Sequence, residues 1–133
     1  MAGNNSGKYK LKSLMDRAYG LYQQKEYVEA VKVMESALQL AEEDLGSDNP
    51  EVVQFINNLA FLYKAQNRHS DSESLYRRSL EIVEKTLGPD HPATAKALNN
   101  LAALFHEQGN NEEAEALSKR ALEIYEKSLG KDH

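Results

Sequence analysis

The sequence predicts an all-α fold, an α-solenoid of three antiparallel helix pairs, and three observations support this prediction. First, residues 98–130 repeat residues 56–88 at a constant offset of 42 residues, and a fainter first copy lies 42 residues further back. Second, apolar residues recur within each copy at steps of three and four, the spacing of one helical face. Third, glycine and proline follow the first and second pairs, where a helix must stop and restart. Copies at a fixed spacing indicate a stacked repeat array. Matching pairs include Asn57/Asn99, Leu80/Leu122 and Gly88/Gly130.

The first copy covers about residues 11–49. Residues 1–10 are rich in Gly, Asn and Ser and lack apolar periodicity, so we expect a disordered lead-in there. A helical pattern starts near Leu11, continues through Leu21, and ends at Gln24 and Lys25. A second helix is predicted over residues 27–45, and Gly46 supplies the left-handed residue that ends it.

The second and third copies, about residues 50–91 and 92–133, repeat this arrangement. Helices are predicted over residues 50–66 and 69–87, and then over 92–108 and 110–129. Pro50 and Pro92 suit a first helical turn, where the missing N–H has no cost. Asn49 can cap the helix that follows it, and His91 and His133 occupy the same position, which favours capping over metal binding. The predicted repeat domain is therefore residues 11–133.

Small residues recur where the two helices of a pair should cross. A larger side chain at such a crossing would push the helices apart. We expect the residues of the first helices to meet those of the second helices: Ala18, Ala60 and Ala102 with Ala30, Ser72 and Ala114.

Composition excludes several classes of protein. The chain is 41% hydrophobic and 28% charged, as in a globular domain. A net charge of −5 and interleaved Lys and Glu argue against nucleic-acid binding, which needs a clustered basic face. No run of about 18 apolar residues can span a membrane, and the polar N-terminus lacks a secretory signal pattern. We therefore expect a cytoplasmic protein.

No residue pattern indicates catalysis. The chain has no cysteine, which removes thiolate zinc sites and cysteine nucleophiles. His69 and His106 lie on different predicted helices without acidic residues at metal-ligand spacing, and HExxH is absent. Clusters of glutamate fall on solvated helix surfaces, and no glycine-rich phosphate loop follows a strand. The sequence thus predicts no catalytic residue, no cofactor, no metal and no enzyme activity.

The repeats resemble the tetratricopeptide repeat (TPR) family in its longer, kinesin-light-chain-like form. The resemblance covers residues 11–133 and rests on LNNLA, the downstream Ala-Glu and RALEIYEKSLG. It implies a right-handed superhelix that serves as a protein–protein interaction scaffold. The first copy has Arg17 and Gly20 where the later copies have leucine, which fits a capping repeat.

The first helices turn a second face away from the core, and the resemblance implies that this face lines a concave peptide-binding groove. In the second copy, spacing places Gln54, Asn58 and Phe61 there. In similar proteins, inward asparagines hold a peptide backbone and a lysine adds charge, and Asn58 and Lys96 match that arrangement. Asn100, Met15 and Tyr19 depart from the set that grips a terminal carboxylate. The predicted groove residues are Tyr19, Tyr22, Gln54, Asn57, Asn58, Phe61, Lys64, Lys96, Asn99, Asn100 and Ala103.

Asn57 and Asn99 have an alternative role, in which they satisfy neighbouring loops or helices. Groove charge adds to the partner prediction, because Lys12, Lys64 and Lys96 against Asp16 and Glu107 leave +1 in an acidic chain. This lining favours a short peptide with acidic and apolar residues, bound by a monomer or a weakly self-associating chain. The alternative function is structural: self-association, or part of a longer array, through the terminal faces.

Overall fold

The computed structural model describes residues 2–129, and side chains from residue 7 onward. Over this range the chain forms six helices in three consecutive antiparallel pairs, without strands, which confirms the all-α solenoid. A 3₁₀ turn, Pro50–Val52, leads into the third helix. Each helix packs against the next along the chain. The helices are α1 (Ala2–Gln23), α2 (Tyr27–Leu45), α3 (Val53–Ala65), α4 (His69–Thr86), α5 (Pro92–Glu107) and α6 (Asn111–Leu129).

The turn inside each pair is built the same way three times. Its central residue is left-handed, with φ of 64° at Lys25, 62° at Asn67 and 80° at Gly109. The next backbone N–H then donates to a carbonyl five residues earlier, which caps the end of the first helix. These bonds are Glu26 N to Leu21 O, 2.9 Å; Arg68 N to Tyr63 O, 2.8 Å; and Asn110 N to Phe105 O, 2.8 Å.

In the turns between pairs, a side chain caps the start of the next helix. The Asn49 side chain accepts a hydrogen bond from the backbone N–H of Glu51 at 2.8 Å. One repeat later, Nδ1 of His91 accepts from the N–H of Ala93 at 2.9 Å, and Pro92 occupies the first turn of α5. The expected capping role of His91 is therefore confirmed, whereas His133 lies outside the described residues.

The predicted small residues lie at the helix crossings. All six are buried, and the hydroxyl of Ser72 on α4 donates to the carbonyl of Ala60 on α3 at 2.8 Å. This bond satisfies a hydroxyl that would otherwise be buried without a partner. One apolar cluster joins the first and second pairs, and another joins the second and third. Leu75 packs against both, and Leu80 packs against the latter and against a cluster within the third pair. The three pairs thus share one continuous core.

The expectation of a disordered lead-in over residues 1–10 was wrong for residues 2–10, since α1 begins at Ala2. The reason is tertiary: α1 runs beside α2, and its early turns meet the end of that helix. A Cβ added at Gly7 would lie 3.0 Å from Oδ2 of Asp44, which is in the last turn of α2. The residues before Leu11 have no apolar periodicity, so the sequence pattern did not indicate that they lie beside α2.

Candidate functional site

A cavity of about 420 Å³ opens between α1 and α3. Its floor includes Met34 of α2, which is buried, and Leu62 of α3. Its walls include Tyr19 and Phe61, which remain 62% and 39% exposed although both are large and apolar. An exposed aromatic pair beside a concave surface is typical of a contact site. The full lining is Met15, Asp16, Ala18, Tyr19, Tyr22, Met34, Asn58, Phe61 and Leu62.

Aromatic stacking positions one wall of this cavity. The rings of Tyr22 and Phe61 meet edge to face with centroids 5.2 Å apart, a favoured arrangement of two aromatic quadrupoles. Tyr22 also contacts Tyr27 at the start of α2, with centroids 5.7 Å apart. Phe61 is therefore supported by α1 even though much of its surface stays open to solvent.

An ion pair extends the same surface from α3 to α5. Nζ of Lys64 lies 2.9 Å from Oε2 of Glu107, and the Lys64 side chain is only 16% exposed. The same ammonium lies 5.4 Å from the Phe61 ring centroid, within the range of a cation–π contact. Lys64 thus links the cavity to the third repeat.

The groove charge expected from sequence falls on one residue. Of the five charged side chains counted for the groove, Lys12 pairs with Asp16 at 3.4 Å and Lys64 pairs with Glu107. Lys96 on α5 is exposed and has no ion-pair partner among the residues the structure describes. The net positive charge of this surface is therefore located at Lys96.

The four predicted asparagines divide into two roles. Asn58 lines the cavity and is exposed, and Asn100 is half-buried; neither amide has a hydrogen-bond partner within the described chain. Asn57 instead accepts a hydrogen bond from the hydroxyl of Ser79 on α4 at 2.7 Å. Its amide therefore serves helix packing, the alternative that the sequence left open. Asn99 is exposed and occupies the equivalent position in a repeat where Ala121 replaces that serine.

The remaining predicted residues lie outside the cavity. Gln54 is exposed and its amide donates to the Glu51 carbonyl at 3.4 Å. The others lie on α5, the helix that also carries Glu107: Lys96, Asn99, Asn100 and Ala103.

Five residues of the cavity lining are absent from the predicted groove list, although Asp16 was counted toward the groove charge: Met15, Asp16, Ala18, Met34 and Leu62. Periodicity assigns Met34 and Leu62 to the buried faces of their helices, and both are buried. Whether open space reaches down to a buried residue depends on neighbouring side chains, which a single helical pattern does not specify. No sequence signal could therefore have identified them as a cavity floor.

Within residues 2–129 no group of three metal-ligand residues is present. The Nδ1 atom of His69, at the start of α4, is buried without a hydrogen-bond partner in that range. None of the helices there is both long and apolar enough to cross a membrane.

Two tyrosines have strongly shifted acidities, and both serve packing. Burial raises the pKa of Tyr76 to about 12, with a further contribution from the Glu107 charge. Burial also raises the pKa of Tyr63 to about 12, aided by the hydrogen bond its hydroxyl donates to Glu35 at 2.7 Å. Both phenols stay protonated at neutral pH, so neither acts as a base there.

The stacked helix pairs define a helical-repeat protein, a class that generally serves as a protein–protein interaction scaffold. The tetratricopeptide repeat family profile matches residues 10–78 and 55–127, which together span most of the chain. The chain belongs to this family, and its 42-residue period and structural neighbours place it in the kinesin-light-chain-like subtype. A search of curated protein sequences gave no match.

Solved structures share the same fold. BtubC (BKLC) from P. vanneervenii superposes with a TM-score of 0.81 at 22% identity, covering 95% of this chain and 49% of that one. A Podosopora anserina protein described as a kinesin light chain with nearly identical TPR-like repeats gives 0.79 at 26% identity, covering 93% and 59%. The TPR domain of Arabidopsis FLU gives 0.73 at 17% identity, covering 91% and 98%. This chain thus spans 49% and 59% of the length of the first two.

Proposed function

We propose that this chain is a non-enzymatic scaffold that binds a short extended segment of a partner protein along the groove formed by α1, α3 and α5. One observation carries the proposal: the cavity between α1 and α3 keeps Tyr19 and Phe61 exposed beside an Asn58 amide that has no hydrogen-bond partner within the described chain. Apolar walls with one adjacent donor and acceptor group suit a peptide better than a small polar metabolite.

Within this proposal, the cavity takes one large apolar side chain of the partner. Burying such a side chain contributes about 1.5–3 kcal/mol. Hydrogen bonds from Asn58 and Asn100 to the peptide backbone add about 0.5–1.5 kcal/mol each. Together these contacts favour binding by about 2.5–6 kcal/mol before the cost of immobilising the peptide, so further contacts along the groove are needed to reach micromolar affinity, near about −8 kcal/mol.

The charge of the groove selects the rest of the ligand. Lys96 offers an ammonium that is not neutralised by a described side chain, so an acidic side chain of the partner is the favoured neighbour. The anchor side chain binds between α1 and α3 and the acidic residue binds toward α5. The partner is thus an extended segment with apolar and acidic residues at separate positions.

The test is a screen of random short peptides against the full chain, followed by fluorescence-anisotropy titration of the selected binders. The variant Asn58→Ala/Asn100→Ala should weaken binding by about 1–3 kcal/mol, roughly 5- to 150-fold, because two amide contacts are lost. Gln39→Ala removes an exposed amide from α2, away from the groove, and should leave the affinity unchanged. Equal affinities for all three chains would refute the groove assignment.

A second arm tests the apolar anchor. Phe61→Ala removes a cavity wall, whereas Val28→Ala removes a side chain that is 59% exposed on α2. Only Phe61→Ala should reduce binding, and it should reduce it most for peptides with a large apolar residue. A loss of the same size in Val28→Ala would place the binding surface elsewhere.

A further inference from the structure

Ion pairs of one type recur along the second helices of successive repeats. Glu42 on α2 pairs with Arg78 on α4, and 42 residues later Glu84 pairs with Arg120 on α6. A parallel series links the inter-pair turns to the same helices, with Asp48–Lys85 and Asp90–Lys127 both at 3.6 Å. In each case the acidic residue belongs to the earlier repeat, so the ladder has a direction.

The two ends of this ladder differ. Glu126, which follows Glu84 by one period, is exposed and has no ion-pair partner among residues 2–129. At the other end, the first repeat carries Ser36 and Glu43 where the later repeats carry the arginine and the lysine. The third repeat thus presents the acidic residue of an ion pair without its basic partner, whereas the first repeat lacks both basic residues of the series.

Apolar burial shows the same asymmetry. Leu38 is 7% exposed, and its equivalent Leu80 packs against the cluster of Ala95, Leu98, Ala121 and Ile124 in the third repeat. The next equivalent, Leu122 on α6, is 57% exposed. Leu122 therefore occupies the position at which the second repeat packs Leu80 against the third.

The first repeat, by contrast, has a finished outer face. Arg17 is exposed where Leu59 and Leu101 are buried. Gly20 stands where the later repeats have leucine, and a Cβ added there would meet nothing within 4 Å. A polar and small-residue surface of this kind offers little to a stacking partner.

We propose that the exposed side of α6 is a docking surface for a further helix pair of the same repeat type, whose second helix carries an arginine facing Glu126. This pair covers Leu122 as the third repeat covers Leu80. A second copy of this chain is not the occupant, because stacking its first repeat on α6 would bring Ser36 rather than an arginine to Glu126. The proposal is independent of peptide binding in the groove.

The experiment appends a copy of residues 88–129 directly after Leu129, which keeps the 42-residue register. Thermal unfolding is then compared between the natural chain, the extended chain, and an extended chain in which the appended copy of Arg120 is replaced by serine. The extended chain should unfold in one transition with a midpoint higher by several degrees, because nearest-neighbour interfaces add stability to a repeat array. The serine version should recover only part of this shift.

Glu126→Gln and Leu122→Ala locate the effect. Each should lower the midpoint of the extended chain and leave that of the natural chain nearly unchanged, and Glu126→Gln should have no effect when the appended arginine is already serine. Two separate transitions in the extended chain, or equal effects of these variants in both chains, would overturn the proposal. Concentration-dependent dimers of the natural chain in sedimentation, abolished by Leu122→Ala, would instead identify a second copy as the occupant and overturn it as well.

Discussion

The ammonium of Lys64 on α3 and the carboxylate of Glu107 on α5 lie 2.9 Å apart and join the second and third repeats across the candidate groove. The pair is partly shielded, since the Lys64 side chain is 16% exposed and that of Glu107 is 48% exposed. It removes one positive and one negative charge from the surface that a peptide would meet. Replacing Glu107 should therefore change the charge of the groove more than the stability of the fold.

Glu107→Gln should tighten the binding of acidic peptides several-fold at low salt, because Lys64 then adds an unpaired positive charge beside Phe61. The gain should shrink as ionic strength rises and screens the charge. Stability should fall by no more than about 1 kcal/mol, as for other partly exposed ion pairs. Anisotropy titrations at two salt concentrations measure the first effect, and urea unfolding measures the second. Glu81→Gln makes the same change in net charge on α4 and serves as the control; equal tightening in both variants would contradict the prediction.

Ala102→Leu should destabilise the chain by about 1–3 kcal/mol, because the larger side chain overpacks the crossing of α5 with α6. Ala102 is 4% exposed and Ala114 opposite it is 6% exposed. Ala103→Leu, one residue along and exposed, is the matched control and should change stability little. Thermal melts of both variants provide the measurement, and identical midpoints would show that the crossing is not tightly packed.

His91→Ala should destabilise the chain by about 0.5–2 kcal/mol, since the N–H of Ala93 loses the side-chain acceptor that caps α5. His91→Asn should restore most of this loss, because Asn49 performs the same role one repeat earlier. Urea unfolding of the three chains distinguishes a cap from a packing residue. A His91→Asn chain as unstable as His91→Ala would show that the imidazole contributes through packing instead.

Stability should decrease as pH rises above about 10, the ordinary pKa of tyrosine, toward about 12. The folded pKa of Tyr63 lies above its unfolded value, so the native state holds the proton more tightly and its advantage is lost as pH rises through about 12. Tyr63→Phe should flatten this decline while costing about 1 kcal/mol at neutral pH, where the bond to Glu35 is lost. Unfolding midpoints measured from pH 8 upward test this. The residual slope should come from Tyr76, whose pKa burial also raises to about 12.

Most of the fold could be predicted from the sequence because its determinants are local or periodic. The 42-residue offset, the apolar spacing and the glycines after each pair specify the number of helices and their ends to within a few residues. Small residues specify the crossings, since only they permit close approach. The start of α1 could not be predicted in this way, because residues 2–10 are helical beside α2 without an apolar pattern of their own.

For the candidate site, the sequence predicted which side of the helix carries it but not the contacts its residues make. Helical spacing placed Asn58 and Phe61 on one exposed side of α3, and the structure places both at one cavity. The same spacing put Asn57 beside them, but a serine on another helix binds its amide.

By itself, the sequence determined the repeat, the helix pairing and the apolar face of each helix, since these follow from period and polarity along one chain. Only the tertiary structure decided that Lys64 is neutralised by Glu107, that Lys96 carries the remaining groove charge, and that a cavity reaches Met34. The physical reason is distance. A charge or an amide takes whichever partner lies within about 3 Å, and side chains from different helices come that close only after the pairs have stacked.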